Sequence, residues 1–338
     1  MEKWYEKKTS DSGVIISTRI RLARNIKNRP FPGRLNEKGA LSILNQLKDA
    51  IAPEEALIFE EMTDKSKDYL HEMVERHLIS PEFALKTGMR GIAALEDESV
   101  CIMLNEEDHV RIQAVCSGDD IEQAYVAASQ ADDLIENSVD YAFDAKFGYL
   151  TSCPTNAGTG MRASFMLHLP ALAQTGGIAQ IIQAAGKFGM ALRGMHGEGS
   201  DPLGCIFQLS NQATLGKSEN VIIAATKSLA HEITEQEMNL KEKIMRDASI
   251  VITDKVYRSY GILANCRTIK LNEAMALLSN VRMGYIWNIL DLPHPKANLY
   301  FIMMEIQHGS IIKRAGRHVE EKEEDCLRAD FVREMFNV

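Results

Sequence analysis

Apolar and polar positions alternate from residue 14 to 22. Ile16, Ile20 and Leu22 fall on one face with Thr18, and Ser17, Arg19 and Arg21 on the other. This pattern predicts a strand that projects two arginines together. Arg24 follows the run and reads as a surface residue. The period then changes. Over residues 36–51, Leu41, Leu44, Leu47 and Ile51 recur at helical spacing, and Pro53 closes the segment. Residues 63–78 predict a second helix with Leu70, Met73, Val74, His77 and Leu78 on its stripe, capped by Thr63-Asp64 and stopped by Ser80-Pro81. Short runs at 92–95, 100–104 and 110–115 predict adjacent strands. The last two are joined by Asn105-Glu106-Glu107-Asp108-His109, three acids in one tight turn, and Arg111 and Gln113 continue the polar face beyond it. A helix over 119–135 follows, and residues 147–150 lead into the next segment.

Residues 151–164, Thr-Ser-Cys-Pro-Thr-Asn-Ala-Gly-Thr-Gly-Met-Arg-Ala-Ser, interrupt this regularity with a thiol, hydroxyls, two glycines and an arginine. Cys153 before proline is a held thiol, the glycines permit close backbone approach, and Arg162 opens the polar face of a strand that alternates through His168. A helix is predicted over 170–188, weakened by Gly176, Gly177 and Gly186, then a strand over 190–193 that runs into a glycine-rich loop holding Glu198. A strand over 205–209 precedes a long helical pattern from 218 to about 249. Beyond residue 235 the chain reads as helices, notably 272–279 and 320–336, which sets a catalytic domain at 1–233 and an all-helical domain at 234–338.

Composition narrows the function classes. In 338 residues, 45% hydrophobic and 25% charged content is ordinary for a globular protein, and the net charge of −9 weighs against nonspecific binding to nucleic acid or a membrane surface. No leader-like segment or membrane-length apolar run occurs, so a cytoplasmic protein is expected. The six cysteines form no C-x-x-C pair, which points to reduced thiols and to neither a disulfide framework nor a metal site.

The candidate chemistry lies in Arg19, Arg21, Arg111, Arg162 and Arg193 on strands, with Glu107, Glu198 and Cys153 on adjoining loops. Five converging arginines need a multiply charged anion, and a nucleoside triphosphate with Mg²⁺ is the commonest. Gly216-Lys217-Ser218 lacks the upstream glycine of a P-loop, and no G-x-G-x-x-G opens a helix, so arginine replaces the glycine cradle. Two glutamates beside such a triphosphate suit a cationic nucleophile. A guanidinium attacks phosphorus only when a carboxylate orients it and takes a proton, and a thiolate adds a third negative contact.

Four ordered motifs, Ser-Thr-Arg-Ile-Arg-Leu-Ala-Arg (17–24), Asn-Glu-Glu-Asp-His-Val-Arg (105–111), Cys-Pro-Thr-Asn-Ala-Gly-Thr-Gly-Met-Arg-Ala-Ser (153–164) and Arg-Gly-Met-His-Gly-Glu (193–198), resemble those of the guanidino kinases. Within that superfamily the chain is similar to the bacterial protein arginine kinases. The resemblance implies an α+β fold, an antiparallel sheet flanked by helices of the guanidino kinase and glutamine synthetase type, with a C-terminal helical domain. It implies that the five arginines bind the phosphates of ATP with Mg²⁺, that Glu107 is the catalytic glutamate, that Glu198 is the second guanidinium-holding glutamate, and that Cys153 contacts the substrate. Only about a dozen residues precede the Ser-Thr-Arg strand, where kinases of free guanidines carry a helical domain, which favours arginine within a polypeptide. A kinase of a free guanidine and a non-catalytic adaptor that binds ATP or phosphoarginine are the competing readings.

In several members the C-terminal domain carries Arg-Asp-x-x-Arg-Ala, a phosphoarginine pocket. Here the stretch is Glu324-Asp325-Cys326-Leu327-Arg328-Ala329, so Asp325 and Arg328 are candidates for a regulatory site in which Glu324 replaces the first arginine. The resemblance also implies a stress-response role. Its partners would be proteins with exposed arginines, among them a heat-shock repressor, a zinc-binding activator protein and a Clp-type AAA+ protease. A homodimer or higher oligomer is expected.

Overall fold

The arginine-bearing strand lies in the middle of an eight-stranded sheet. The computed structural model describes residues 2–7, 13–194, 203–292 and 298–336. The strands are β1 (Ile15–Arg24), β2 (Ile58–Glu61), β3 (Gly91–Ala94), β4 (Val100–Leu104), β5 (Val110–Ser117), β6 (Phe143–Asp144), β7 (Gly148–Tyr149), β8 (Met161–His168), β9 (Met190–Gly194) and β10 (Ile206–Asn211). The large sheet runs β2-β3-β4-β5-β1-β8-β10-β9, and β6 and β7 form a separate hairpin. Every pairing is antiparallel.

The sheet's back face is apolar. Ile20, Leu22, Ile112, Ala163, Phe165, Leu192 and Leu209 share one core with helices that include α1 (Glu37–Ile51), α4 (Ile121–Glu136), α6 (Ile178–Lys187) and the first half of α7 (Glu219–Asn265). Between these in sequence lie α2 (Lys67–Glu75), α3 (Pro81–Leu85) and α5 (Pro170–Gln174). After α7 come α8 (Leu271–Ile286), α9 (Leu299–Glu305), α10 (His308–Ala315) and α11 (Glu321–Phe336). The front face is covered only at its flanks. On one side Met103, Cys101 and Ile92 pack with Met73 and Phe83 of α2 and α3. On the other, Val115 and Met166 join Trp4, Tyr5 and the C-terminal helices. The strip between them carries the arginines.

Local chemistry sets several boundaries differently from the periodicity. The helix expected over 63–78 begins after Ser66, whose hydroxyl accepts from Tyr69 N–H, so Thr63-Asp64 is not its cap. It ends at Glu75, because His77 turns to φ 59°. In α1 the buried stripe is Ile43, Leu44, Leu47, Ala50 and Ile51, while Leu41 is exposed. The helix expected over 170–188 is two helices, parted at Gly176 with φ 75°. Strand β2 and helices α3, α9 and α10 were not anticipated; all are eight residues or shorter and carry too few periods to show.

Helix α7 passes from one core to the other: Ile233 belongs to the back-face core, Leu240 packs against both, and Ile252 belongs to the C-terminal core. It changes direction at Ala248, φ −143° and ψ 30°. The division expected after residue 233 falls inside this helix. No described helix is long and apolar enough to cross a membrane.

Glu237 on α7 is 1% exposed and caps α5, accepting Ala171 N–H at 2.7 Å and Leu172 N–H at 2.9 Å. Burial pushes its carboxyl up to about 7 despite these donors. A carboxyl raised in the folded state favours the protonated fold. Its contribution to stability is therefore full below the ordinary value of 4.5 and is lost as pH rises through about 7. Glu75, also pushed up to about 7 by burial, adds to the same slope. Thermal melts should show Tm falling from pH 5 to pH 8, roughly these limits being set by the linkage, and Glu237→Gln should flatten that fall. An unchanged slope would assign the pH dependence to other groups.

Candidate active site

Strand register brings all five candidate arginines to one face. Arg21 lies opposite Arg162 on one side and opposite Gln113 on the other, and Arg19 lies opposite Ser164 and Val115. Arg111, two residues from Gln113, is opposite Ala23. Arg193 is opposite Gln208, which is opposite Met166 on the same face. Side chains directly opposite one another in an antiparallel pair point the same way, so the alternation read from residues 14–22 extends across five strands.

Within this cluster, burial and then the charge of Arg111 push the Arg19 guanidinium down to about 10. Burial and the charges of Arg19, Arg111 and Arg162 hold Arg21 well below its ordinary value, and Arg21 Nε is buried without a hydrogen-bond partner. Arginine does not give up its proton in proteins, so this crowding is a cost borne by the cationic fold and relieved by an anion. Partial relief comes from the protein: Arg19 donates to Gln113 Oε1 at 3.3 Å, Arg162 Nε to the Asn211 carbonyl at 3.3 Å, and Arg111 pairs with Glu106 at 2.8 Å. A partly open cavity of about 10 Å³ beside Arg19, lined also by Trp4 and Met166, has room for one water. A wider depression of about 650 Å³ lies between α4 and α7 and carries none of the arginines.

The turn between β4 and β5 forms the edge of this strip. Asn105 takes φ 59° and donates to the carbonyls of Ala40 and Met89, both at 3.0 Å. His109 accepts Ile26 N–H through Nδ1 and donates from Nε2 to the Pro30 carbonyl, both at 3.0 Å; burial pushes its pKa down to about 4. Residues 105, 106, 108 and 109 are buried, and Glu107 alone in the turn is exposed. Burial would raise the Glu106 carboxyl, but Arg111, Ser80 and the Glu107 N–H hold it below the usual range. Glu107 goes the other way, raised by desolvation and by the charges of Asp108 and Glu106.

Ser152 joins the cysteine loop to this turn: its N–H donates to Asp108 Oδ1 at 2.7 Å and its hydroxyl to the Glu107 carbonyl at 2.7 Å. Cys153 thereby sits next to the Glu107 turn, with Sγ 3.0 Å from Thr155 Oγ1. The glycines of this loop serve the protein's own packing. A Cβ on Gly160, φ 63°, would lie 2.6 Å from the Ala23 carbonyl oxygen, and one on Gly158, φ 109°, 2.8 Å from Leu215 Cα.

Arg193 is the penultimate residue of β9, and Glu198 lies outside the described residues. Arg24, expected at the surface, is 3% exposed on the back face, paired with Asp132 at 2.6 Å and stacked 3.6 Å from the Tyr149 ring centre. His168, expected on the polar face, is fully enclosed with Nε2 2.8 Å from Ser279 Oγ. Far from the strip, Arg328 is 1% exposed. It donates to the carbonyls of Ile306 and Ile269 at 2.9 and 3.1 Å, to Asp325 at 2.6 Å and to Glu324. Glu324 also meets His308 at 2.7 Å, so a phosphoarginine at Asp325 and Arg328 would have to displace these partners.

Among the described residues no group of three His, Cys, Asp or Glu side chains could hold a metal ion. The nearby acids Glu106 and Asp108 are committed to Arg111 and Ser80 and to Asn25 and Ser152. What the sequence reading missed is this supporting set: Asp108, Asn25, Ser152 and Asn211. The last accepts Ala163 N–H at 2.8 Å and fixes the start of β8.

Comparison with known proteins gives a concordant picture. Residues 39–240 match the family described as ATP:guanido phosphotransferase, C-terminal catalytic domain, and residues 249–338 match the protein-arginine kinase McsB C-terminal domain. The chain is 41% identical over 343 residues to the protein-arginine kinase of Bacillus subtilis (strain 168), covering 100% of this chain and 94% of that protein. It is 40% identical over 334 residues to the protein-arginine kinase of Caldanaerobacter subterraneus subsp. tengcongensis, covering 97% and 98%. Among solved structures, a lombricine kinase superposes with a TM-score of 0.61 at 22% identity, over 70% of this chain and 69% of that one. The duplicated taurocyamine kinase from Schistosoma mansoni superposes with a TM-score of 0.62 at 23% identity, over 77% of this chain and 40% of that one.

Proposed function

Because the chain belongs to the ATP:guanido phosphotransferases and, within them, to the protein-arginine kinases, we propose that it transfers the γ-phosphoryl group of Mg-ATP to the guanidinium of arginine residues in proteins. The observation that carries this reading is the single strip of five arginines bordered by the Glu107 and Cys153 corner. The arginines bind the triphosphate and neutralise the oxygens that gain charge as the γ-phosphoryl group moves. Magnesium travels with the nucleotide as part of the substrate.

Glu107 orients the guanidinium and accepts its proton. As the terminal nitrogen bonds to phosphorus, the bond from phosphorus to the β-γ bridging oxygen breaks, ADP leaves, and the nitrogen's proton passes to the carboxylate. A carboxyl held above its usual range is a better proton acceptor than an ordinary glutamate. Cys153 supplies a second contact to the guanidinium, and Glu198, a few residues beyond Arg193, the third.

The same reading puts the reaction in the cytoplasm, in keeping with six free cysteines. From the motif resemblance it takes exposed arginines of stressed proteins and of a heat-shock repressor as targets, a zinc-binding activator and a Clp-type protease as partners, and a homodimer or higher oligomer as the working form. The test is incubation with Mg-ATP and either an unfolded basic protein or free arginine, followed by mass spectrometry for phosphoarginine. Modification of the protein is expected. Exclusive turnover of free arginine would overturn the substrate class, and no phosphoarginine in either arm would overturn the activity.

A further inference from the structure

Three consecutive acids occupy the turn beside the arginine strip, and each has a different set of partners. Glu106 faces the arginines, bonded to Arg111 at 2.8 Å and Ser80 at 2.6 Å. Glu107 is exposed, and its carbonyl is bound by the Ser152 hydroxyl of the cysteine loop. Asp108 is 2% exposed and feels the charge of Lys86, whose ammonium donates to the Glu106 carbonyl; its Oδ1 accepts from Asn25 Nδ2 at 2.6 Å and from Ser152 N–H at 2.7 Å. Asn25 follows β1, accepts His109 N–H at 3.0 Å and also donates to the Leu150 carbonyl at 3.0 Å. Ser152 returns a bond to the Glu107 carbonyl. One carboxylate oxygen thus joins the end of the central strand, the turn that presents Glu107 and the loop that presents Cys153.

We propose that Asp108 is a positioning residue for the guanidinium half of the site: through Asn25 and Ser152 it fixes the Cys153 loop against the Glu107 turn, so that the two groups gripping the substrate hold one relative placement. This rests on the kinase reading above. Burying an acid here is costly even with Lys86 nearby, and its hydrogen-bond donors are neutral. The geometry calls for an acceptor at one point, which a neutral amide oxygen can also supply. The nucleotide half depends less on this junction, since its arginines are carried by strands and Glu106 is the acid paired with Arg111.

The experiment uses the full chain, with Mg-ATP and an unfolded basic protein as substrates. Asp108→Ala should raise KM for the protein substrate about 30-fold, the scale of two buried donors left unpaired, and leave ATP affinity unchanged. Asp108→Asn, whose amide oxygen can accept both bonds, should recover most of the loss. Ser152→Ala, at an exposed position, removes the hydroxyl's bond to the Glu107 carbonyl and its contact with Asp108 while keeping the N–H bond, and should raise the same KM about fivefold.

A purely structural role predicts equal damage to both substrates and no rescue by asparagine. Either result would overturn the proposal, as would an unchanged KM in Ser152→Ala, which decides the matter alone if Asp108→Ala does not fold. The wild-type protein separates the two levels: if it makes no phosphoarginine on protein, the kinase reading has failed, whereas normal wild-type activity with Asp108 variants unlike those described fails only the positioning role.

Discussion

Glu107→Gln is expected to slow phosphoryl transfer to protein arginine by about 10³-fold, the range removed with a general base, while ATP binds with unchanged affinity. The side chain can be exchanged without disturbing the turn. Its bonds there are made by backbone groups, the N–H donating to Glu106 Oε2 at 2.8 Å and the carbonyl accepting from Ser152. Glutamine keeps the size and loses the proton acceptor. The measurement is kcat by ADP release with ATP affinity by calorimetry, and an undiminished kcat would exclude Glu107 as the base. The pH profile adds a second reading. Burial and the charges of Asp108 and Glu106 raise this carboxyl. The wild-type rate should therefore begin to fall on acidification at a higher pH than an ordinary glutamate would dictate, and the variant should lack that limb.

The second large effect is a trade between stability and catalysis. Arg21→Ala removes the cation most surrounded by others, one whose Nε has no partner in the fold. The nucleotide-free protein should melt at a higher temperature than wild type, because the repulsion from Arg19, Arg111 and Arg162 disappears with it. Turnover should meanwhile fall by about 10² to 10³, the cost of one preorganised charge at a developing anion. Saturating Mg-ATP should stabilise wild type more than the variant, by mass action on a weaker site. A lower Tm for the ligand-free variant would mean that Arg21 is held by favourable contacts, and that the strip does not store repulsion for a ligand to release.

Much of this site was legible in the alternation of side chains, because a strand leaves no choice about which residues face together. Arg19 and Arg21 had to share a face, as did Arg111 with Gln113. Which strands lie next to which is a different kind of information. It depends on pairings across more than a hundred residues, such as Arg21 with Arg162, and the four ordered motifs supplied what local pattern could not. Arg24 shows the limit from the other side. Parity alone puts it on the apolar face with Ile20 and Leu22, and its acceptance there depends on Asp132, an acid on the buried side of α4. A charged residue in a predicted core stripe was the available signal.

The division of labour among Glu106, Glu107 and Asp108 had no such signal, since three adjacent acids in a turn look alike until their partners from residues 25, 80, 111 and 152 are in place. The helix ends failed for a more local reason. Ser66 outcompetes Thr63-Asp64 as a cap, and a left-handed Gly176 divides a segment whose apolar period runs on through it.

Helix α7 has one further consequence. It supplies Ile222, Ile223 and Ile233 to the core behind the sheet and Ile252, Val256 and Leu263 to the core of the C-terminal helices. The segment that carries Trp4 and Tyr5, the first described part of the chain, is packed into the latter core beside Tyr300. The C-terminal region does not close its interior from a continuous stretch of sequence, because Trp4, Tyr5, Val115 and Met166 complete it. The C-terminal helices must therefore wait for the chain's beginning as well as its end, and the two regions should gain and lose their structure as one cooperative unit rather than as two independently opening ones.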